Sequence, residues 1–68
     1  MAAQDQIVRT VYTVAVVEGG WAVEHLGVYT DQSRDKAEVT AAANKLARAM
    51  LLSGTPVQVR IEGETGYF

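Results

Sequence analysis

Runs of hydrophobic and polar positions divide the chain into three strands and one helix. Residues 7–17 are rich in Val, Tyr and Thr and contain neither Gly nor Pro, which predicts a long strand. The Glu-Gly-Gly segment at 18–20 interrupts the run, and its glycines can take the positive φ angles of a tight turn. Residues 21–29 are therefore predicted to return as an antiparallel strand. A loop of two residues and a loop of three remain alternatives, and they place different side chains opposite each other.

The next periodic segment is typical of a helix. Residues 34–52 are rich in Ala, lack Gly and Pro, and follow a polar break at 30–33 that offers N-cap oxygens. Gly54 suits a left-handed C-terminal cap, and Pro56 prevents continuation. At 100° per residue, a core-facing stripe spans an arc of about 120°. Its members are Val39, Ala42, Ala43, Leu46, Ala49 and Met50.

The last regular segment, residues 57–61, alternates between apolar and polar positions, as a half-buried strand does. Beyond it, Tyr67 and Phe68 are expected to pair briefly as a fourth strand or to pack on a neighbour. The element order predicts an α+β fold, β-β-α-β, with a mainly antiparallel sheet of three strands, or four if this last pair joins. The single helix is expected to pack on one face of the sheet.

Chain length and composition limit how such a fold is stabilised. The 68 residues allow a single domain, in which we expect residues 1–6 to form a disordered leader. A domain of this size has a small core, and small proteins add disulfides, metals or a partner chain. The sequence has no cysteine for a disulfide and only one histidine for a metal site, so association with a partner chain is the means of stabilisation that is left. We therefore expect a homo-oligomer, most simply a dimer.

Charge and hydropathy indicate where the protein is located and which partners its net charge would attract. The net charge of −2 provides no overall field that would draw the protein to nucleic acid or to an anionic membrane. The first residues lack the basic and apolar stretches of a secretory signal, and no segment approaches 18 consecutive apolar residues. We expect a cytoplasmic protein without membrane contact.

Residues able to carry out catalysis are sparse. His25, the only histidine, lies within a predicted strand without a neighbouring Ser or Cys. The closest carboxylate pairs are Asp31 with Asp35, beside the helix start, and Glu62 with Glu64, in a predicted turn. Capping and solubility explain both pairs. No glycine-rich segment precedes a helix as a phosphate-binding loop would. The sequence predicts neither an enzyme, nor a cofactor, nor a metal site.

The excess of apolar strand surface points to binding instead. A three-stranded sheet has two broad faces, and one helix shields only one of them. Trp21, Val23, His25 and Tyr29 share one face of the second predicted strand. Trp and Tyr suit interfaces because they bury area and keep a polar group. These four residues are the predicted contact of a homodimer, or of another protein partner, through the uncovered sheet face or a strand edge.

A second hypothesis is nucleic-acid binding. Arg34, Lys45 and Arg48 lie within about 60° of one another on the helical projection, away from the core stripe. Glu38 interrupts this face, and the aromatic residues are not interleaved with the basic ones as in a stacking platform for single strands. The three basic residues form the candidate nucleic-acid contact.

Two family resemblances accompany these patterns. The Glu-Gly-Gly-Trp-Ala-Val motif at 18–23, the Ala-rich helix and the Gly-Glu-Thr-Gly end at 63–66 resemble a family of small bacterial proteins of unknown function, over residues 12–68. Up to Val23, the Tyr-x-Val strand followed by acidic-Gly-Gly-aromatic-x-Val is also similar to HicB-type antitoxins. The second resemblance implies a partial ribonuclease-H-like fold and a toxin-neutralising role.

Overall fold

The computed structural model describes residues 9–63 and contains one helix and one sheet. The elements are β1 (Thr10–Val17), β2 (Gly20–His25), β3 (Val28–Ser33), α1 (Lys36–Leu52) and β4 (Val57–Ile61). The predicted α+β fold, with one helix packed against a sheet, is confirmed. The predicted leader at 1–6 and the predicted pairing of Tyr67 and Phe68 lie outside the described residues.

The chain forms one more strand than the pattern predicted before the helix. The predicted second strand, 21–29, is divided by a turn at Leu26 and Gly27, whose φ angles are 53° and 83°. Two positive φ values in a two-residue hairpin loop correspond to a type I′ turn. The polar segment 30–33, predicted to be a break, continues β3. The prediction was wrong here because leucine rarely adopts a left-handed conformation.

The sheet has the strand order β3-β2-β1-β4. The β1–β2 and β2–β3 pairs are antiparallel, whereas β1 and β4 are parallel because α1 carries the chain back across the sheet. Val17 is paired with Gly20, so the first hairpin loop has two residues, Glu18 and Gly19. This settles the register that the sequence left open, and it places Val14 opposite Val23.

The core lies between α1 and the two middle strands. Val14, Val23, Val39 and Ala43 form its buried centre, each at most 1% exposed. The partly buried residues packed around it are Tyr12, Trp21, Ala42, Leu46, Val59 and Ile61. From the predicted helix stripe, Ala49 is exposed, while Ala47, which was not predicted, is buried. The buried line therefore follows i, i+4 and i+8 from Val39, the narrow contact that a helix makes on a flat sheet.

Side chains and backbone groups define both ends of α1. Asp35 is the N-cap, and its Oδ1 accepts a hydrogen bond from Ala37 N at 2.9 Å. Ser33 Oγ donates to Glu38 Oε1 at 2.7 Å and accepts from Asp35 N at 3.0 Å. The helix thus begins at Lys36, two residues later than predicted.

The C-terminal end of α1 confirms the predicted glycine cap. Gly54 has a φ of 88° and donates its N–H to Leu51 O at 2.9 Å. Thr55 N donates to Met50 O at 3.0 Å. These two bonds form a Schellman motif, which satisfies carbonyls that the last helical turn leaves without partners.

Gly20 is the point where the first hairpin meets the end of β3. A Cβ atom there would clash with the carbonyl oxygen of Ser33 and lie 2.8 Å from Arg34 Cα. Both contacts are with backbone, which cannot move aside without displacing β3. The second glycine of the hairpin motif is therefore required for close approach of two chain segments.

We expect Gly20→Ala to lower the free energy of unfolding by about 3 kcal/mol, because the new methyl group displaces β3 from the hairpin. Gly27→Ala is the matched control. Gly27 also has a left-handed φ, 83°, but no atom lies within 4 Å of the position that a Cβ would take. The control should lose only about 1 kcal/mol. Urea denaturation measures both, and equal losses would contradict the close-approach argument.

The Leu26 turn allows a stabilising substitution. Leu26 is 85% exposed and has a φ of 53°, so it contributes little packing where the backbone disfavours leucine. We expect Leu26→Asn to raise the free energy of unfolding by about 0.5–1 kcal/mol, since Asn tolerates this conformation. Leu26→Ala, which keeps a Cβ and lacks the amide, should bring no gain in the same urea titration.

Candidate functional site

The face of the sheet opposite α1 has no secondary-structure element packed on it within residues 9–63. Because side chains alternate between faces, the register of the four strands identifies the residues on this side. We call this surface the open face. It consists of Val11, Thr13, Ala15, Val17, Ala22, Glu24, Tyr29, Gln58 and Arg60.

One row of the open face crosses all four strands. Tyr29 is paired with Glu24, Glu24 with Thr13, and Thr13 with Arg60. Neighbouring strands lie about 4.8 Å apart, so Glu24 and Arg60 are separated by about 10 Å, with Thr13 between them. The row therefore carries an aromatic ring, a negative charge, a small hydroxyl and a positive charge, in that order.

Beside this row, the sheet surface has a recess, and Ala15 is among its lining residues. Ala15 and Ala22 are paired across β1 and β2 and are 7% and 1% exposed, although no helix covers them. The recess that Ala15 lines has a volume of about 380 Å³. Its lining includes Thr13, Ala15, Glu24, Tyr29, Arg60 and Glu62.

The charged groups around the recess differ in their partners. Glu24 Oε2 accepts a hydrogen bond from Gly27 N at 2.8 Å, which braces the type I′ turn. Glu62 Oε1 accepts from Val16 N at 2.7 Å and extends the β1–β4 ladder by one bond. Arg60 is exposed and makes no hydrogen bond or ion pair with another described residue. Its guanidinium is thus the one charged group of the row that has no partner in the described part of the chain.

The structure separates the four residues of the predicted interface. Val23 is 1% exposed in the core, and Trp21 packs against that core. His25 shares their side of β2, whereas Tyr29 lies on the open face, 57% exposed. The prediction that all four share a face was wrong, because the turn at Leu26 pairs His25 with Val28 and so sends Tyr29 to the opposite side.

The three residues on the helix side have structural contacts. Lys36 Nζ lies 4.9 Å from the ring centroid of Trp21. His25 stacks in a tilted arrangement on Tyr12, with ring centroids 4.9 Å apart. The His25 Nδ1 lies 3.1 Å from Val11 O, and since a carbonyl only accepts, this nitrogen carries the hydrogen. The imidazole continues the β1–β2 ladder beyond its last backbone pair, which is a structural role.

The predicted basic stripe is also altered by the fold. Lys45 and Arg48 are exposed on α1, three residues apart, and are neighbours on the helix surface. Arg34 is exposed too, but it precedes the N-cap Asp35 and is not part of the helix. The helical projection that aligned all three residues therefore fails for Arg34, because the helix begins later than its Ala-rich composition indicated.

Comparisons with known proteins add no relative. No protein-family model, no curated protein and no solved structure matches this chain. The resemblances to the small bacterial family and to HicB-type antitoxins stay predictions. Within residues 9–63, no group of three or more His, Cys, Asp or Glu side chains is arranged to hold a metal ion. In the same segment, no helix has the length and hydropathy needed to span a membrane.

The separation of Trp21 from Tyr29 has a measurable consequence. We expect Trp21→Ala to lower the free energy of unfolding by about 3 kcal/mol, because the indole packs on the core under the start of α1. Tyr29→Ala, on the open face, should cost less than about 0.5 kcal/mol in dilute protein. Urea denaturation of the two variants provides the comparison. A larger loss for Tyr29→Ala would contradict the assignment of faces.

Proposed function

We propose that this protein is a protein-interaction module that acts as a homodimer through the open face. The observation that carries the proposal is a sheet with one face under a helix and the other without cover, on which Val11, Ala15 and Val17 lie along the central strand. An antiparallel sheet that faces water on one side normally presents polar residues there. Three of the four positions that β1 presents on this face are apolar, and two of them, Val11 and Val17, are partly exposed, as in a contact surface.

The small size of the core supports association. Among the described residues, the largest fully buried side chains are three valines, Val14, Val23 and Val39. Each buried valine contributes roughly 1.5 kcal/mol or somewhat more relative to exposure, which is modest beside the conformational entropy of the ordered chain. A domain of this kind is stabilised when a second copy buries further apolar surface.

The sheet face is favoured over the β3 edge as the contact. Asp31 and Gln32 of β3 lie together opposite Ala22 of β2, and these two residues form a bulge in β3. Asp31 has a φ of 56°. Bulges interrupt the regular row of backbone donors and acceptors that a second strand would need. Strand addition at β3 is thus opposed by the fold, whereas nothing comparable obstructs the open face within the described residues.

The dimensions of the open face indicate a weak dimer. Four strands at about 4.8 Å and five residues at about 3.4 Å give a flat area of roughly 300 Å². Standard stable interfaces bury about 800 Å² on each partner. Side chains that protrude from the sheet add to this flat area, but the buried area per partner stays at the small end of the range for protein interfaces. We therefore expect self-association with a dissociation constant in the micromolar range or weaker.

Light scattering over a concentration series tests the proposal. The wild-type mass should rise from that of the monomer toward twice that value, and Thr13→Arg should remain monomeric because a long cation is placed at the centre of the open face. Asn44→Arg adds the same charge on the exposed side of α1 and should behave as wild type. Circular dichroism verifies that both variants are folded.

Two outcomes would contradict the proposal. A wild-type protein that stays monomeric throughout the series would exclude the homodimer. Dimerisation that Thr13→Arg leaves intact would move the contact from the open face to another surface, such as a strand edge.

A further inference from the structure

We infer that the two copies meet face to face about a twofold axis parallel to β1, and that Arg60 of each copy pairs with Glu24 and Tyr29 of the other. This inference rests on the proposed function and specifies its partner and geometry. It follows from the order of the row Tyr29, Glu24, Thr13 and Arg60 across the sheet.

The positions of the two charges select the axis. Glu24 and Arg60 lie on either side of Thr13, in β2 and β4. A twofold axis that runs along β1 above Thr13 exchanges the two sides, so Glu24 of one copy lies over Arg60 of the other, twice. An axis across the strands would keep the sides and place Glu24 against Glu24 and Arg60 against Arg60. Only the axis along β1 makes the face electrostatically complementary to itself.

The available hydrogen-bonding groups agree with this arrangement. Arg60 makes no hydrogen bond or ion pair with another described residue, so none of those residues occupies the donors that would bind a second copy. Glu24 uses Oε2 for the bond to Gly27, and no bond from the described chain is found at its other oxygen. Tyr29 is the direct neighbour of Glu24 and presents an exposed ring beside the same carboxylate. A guanidinium can bind a carboxylate and stack on an aromatic ring at once, which lysine does less well.

The apolar part of the face is consistent with the same axis. Rotation about β1 sets the β1 strand of one copy over that of the other, where the partly exposed Val11 and Val17 meet their equivalents. Such sheets pack with their strands nearly aligned, at about 30°, and about 10 Å apart. The charged pairs then lie on the two sides of the contact between the β1 strands, and they disfavour other registers of the two copies.

Charge reversal tests the pairing. Arg60→Glu and Glu24→Arg, each alone, create two like-charge contacts in the dimer, and we expect each to raise the dissociation constant by at least about tenfold. The double variant with both changes in one chain reverses every pair and should bind within about threefold of wild type. Arg48→Glu, on the exposed side of α1, is the control for net charge and should have little effect. Sedimentation equilibrium at low ionic strength measures each constant.

A mixture of the two single variants provides a second measurement that does not require the double variant to fold. Glu24→Arg removes the bond to Gly27 N, so circular dichroism must first verify that this variant is folded. Arg60→Glu and Glu24→Arg, combined in equal amounts, should form a heterodimer, because each copy then supplies the charge that the other needs. The attraction should weaken when the salt concentration rises to about 0.5 M, where the screening length falls below about 5 Å.

The possible results separate this inference from the proposed function. If Thr13→Arg abolishes the dimer but neither charge reversal weakens it, the Arg60 pairing is wrong while the interaction module stands. Loss of binding in both single variants, without recovery in the folded double variant, would overturn the axis along β1. If the wild-type protein is monomeric at all concentrations, both the proposed homodimer and this inference are wrong.

Discussion

The packing of α1 on the two middle strands is the contact on which the other features depend. Val39 and Ala43 lie against Val14 and Val23, and all four are fully or almost fully buried. Because the helical residues are small, the helix axis approaches the sheet closely. This contact holds the β1–β2 hairpin in place and brings β4 beside β1 through the crossover. It also commits one face of the sheet to the core, which leaves the other as the open face.

A core made of valine and alanine has consequences for the whole molecule. It buries limited apolar area, so the hydrogen bonds at its margins have a larger share in stability. The Asp35 cap, the Gly54 cap and the His25 bond to Val11 each satisfy backbone groups at the ends of the helix or of a strand pair. The same limitation motivates the proposed role of the open face, because the proposed dimer would add apolar burial that the single chain lacks.

The wrong sequence predictions share one cause: local composition was used to set the ends of elements that side-chain hydrogen bonds and strand pairing determine. Trp21 and Tyr29 were assigned to one face because residues 21–29 read as an uninterrupted strand, and Leu26 carries no turn signal. The structure holds Leu26 in a left-handed conformation because Glu24 binds Gly27 N and β3 pairs with β2 on the far side. Similarly, Arg34 was placed on the helix because its neighbours favour helix formation, whereas the Ser33 and Asp35 side chains set the start at Lys36.

Local physics in the sequence by itself determined the α+β class, the Glu-Gly-Gly hairpin, the Ala-rich helix with its Gly54 cap, and the last strand. Each depends on backbone preferences or on a periodicity that neighbouring residues define. Only the tertiary structure decided the additional hairpin at Leu26, the parallel pairing of β1 with β4, and the membership of the open face. Those depend on register, and a two-residue turn reverses the faces of the side chains that follow it until the bulge at Asp31 and Gln32 restores them. The row from Tyr29 to Arg60 exists because four strands, the last of them separated from the others by the helix, share one register.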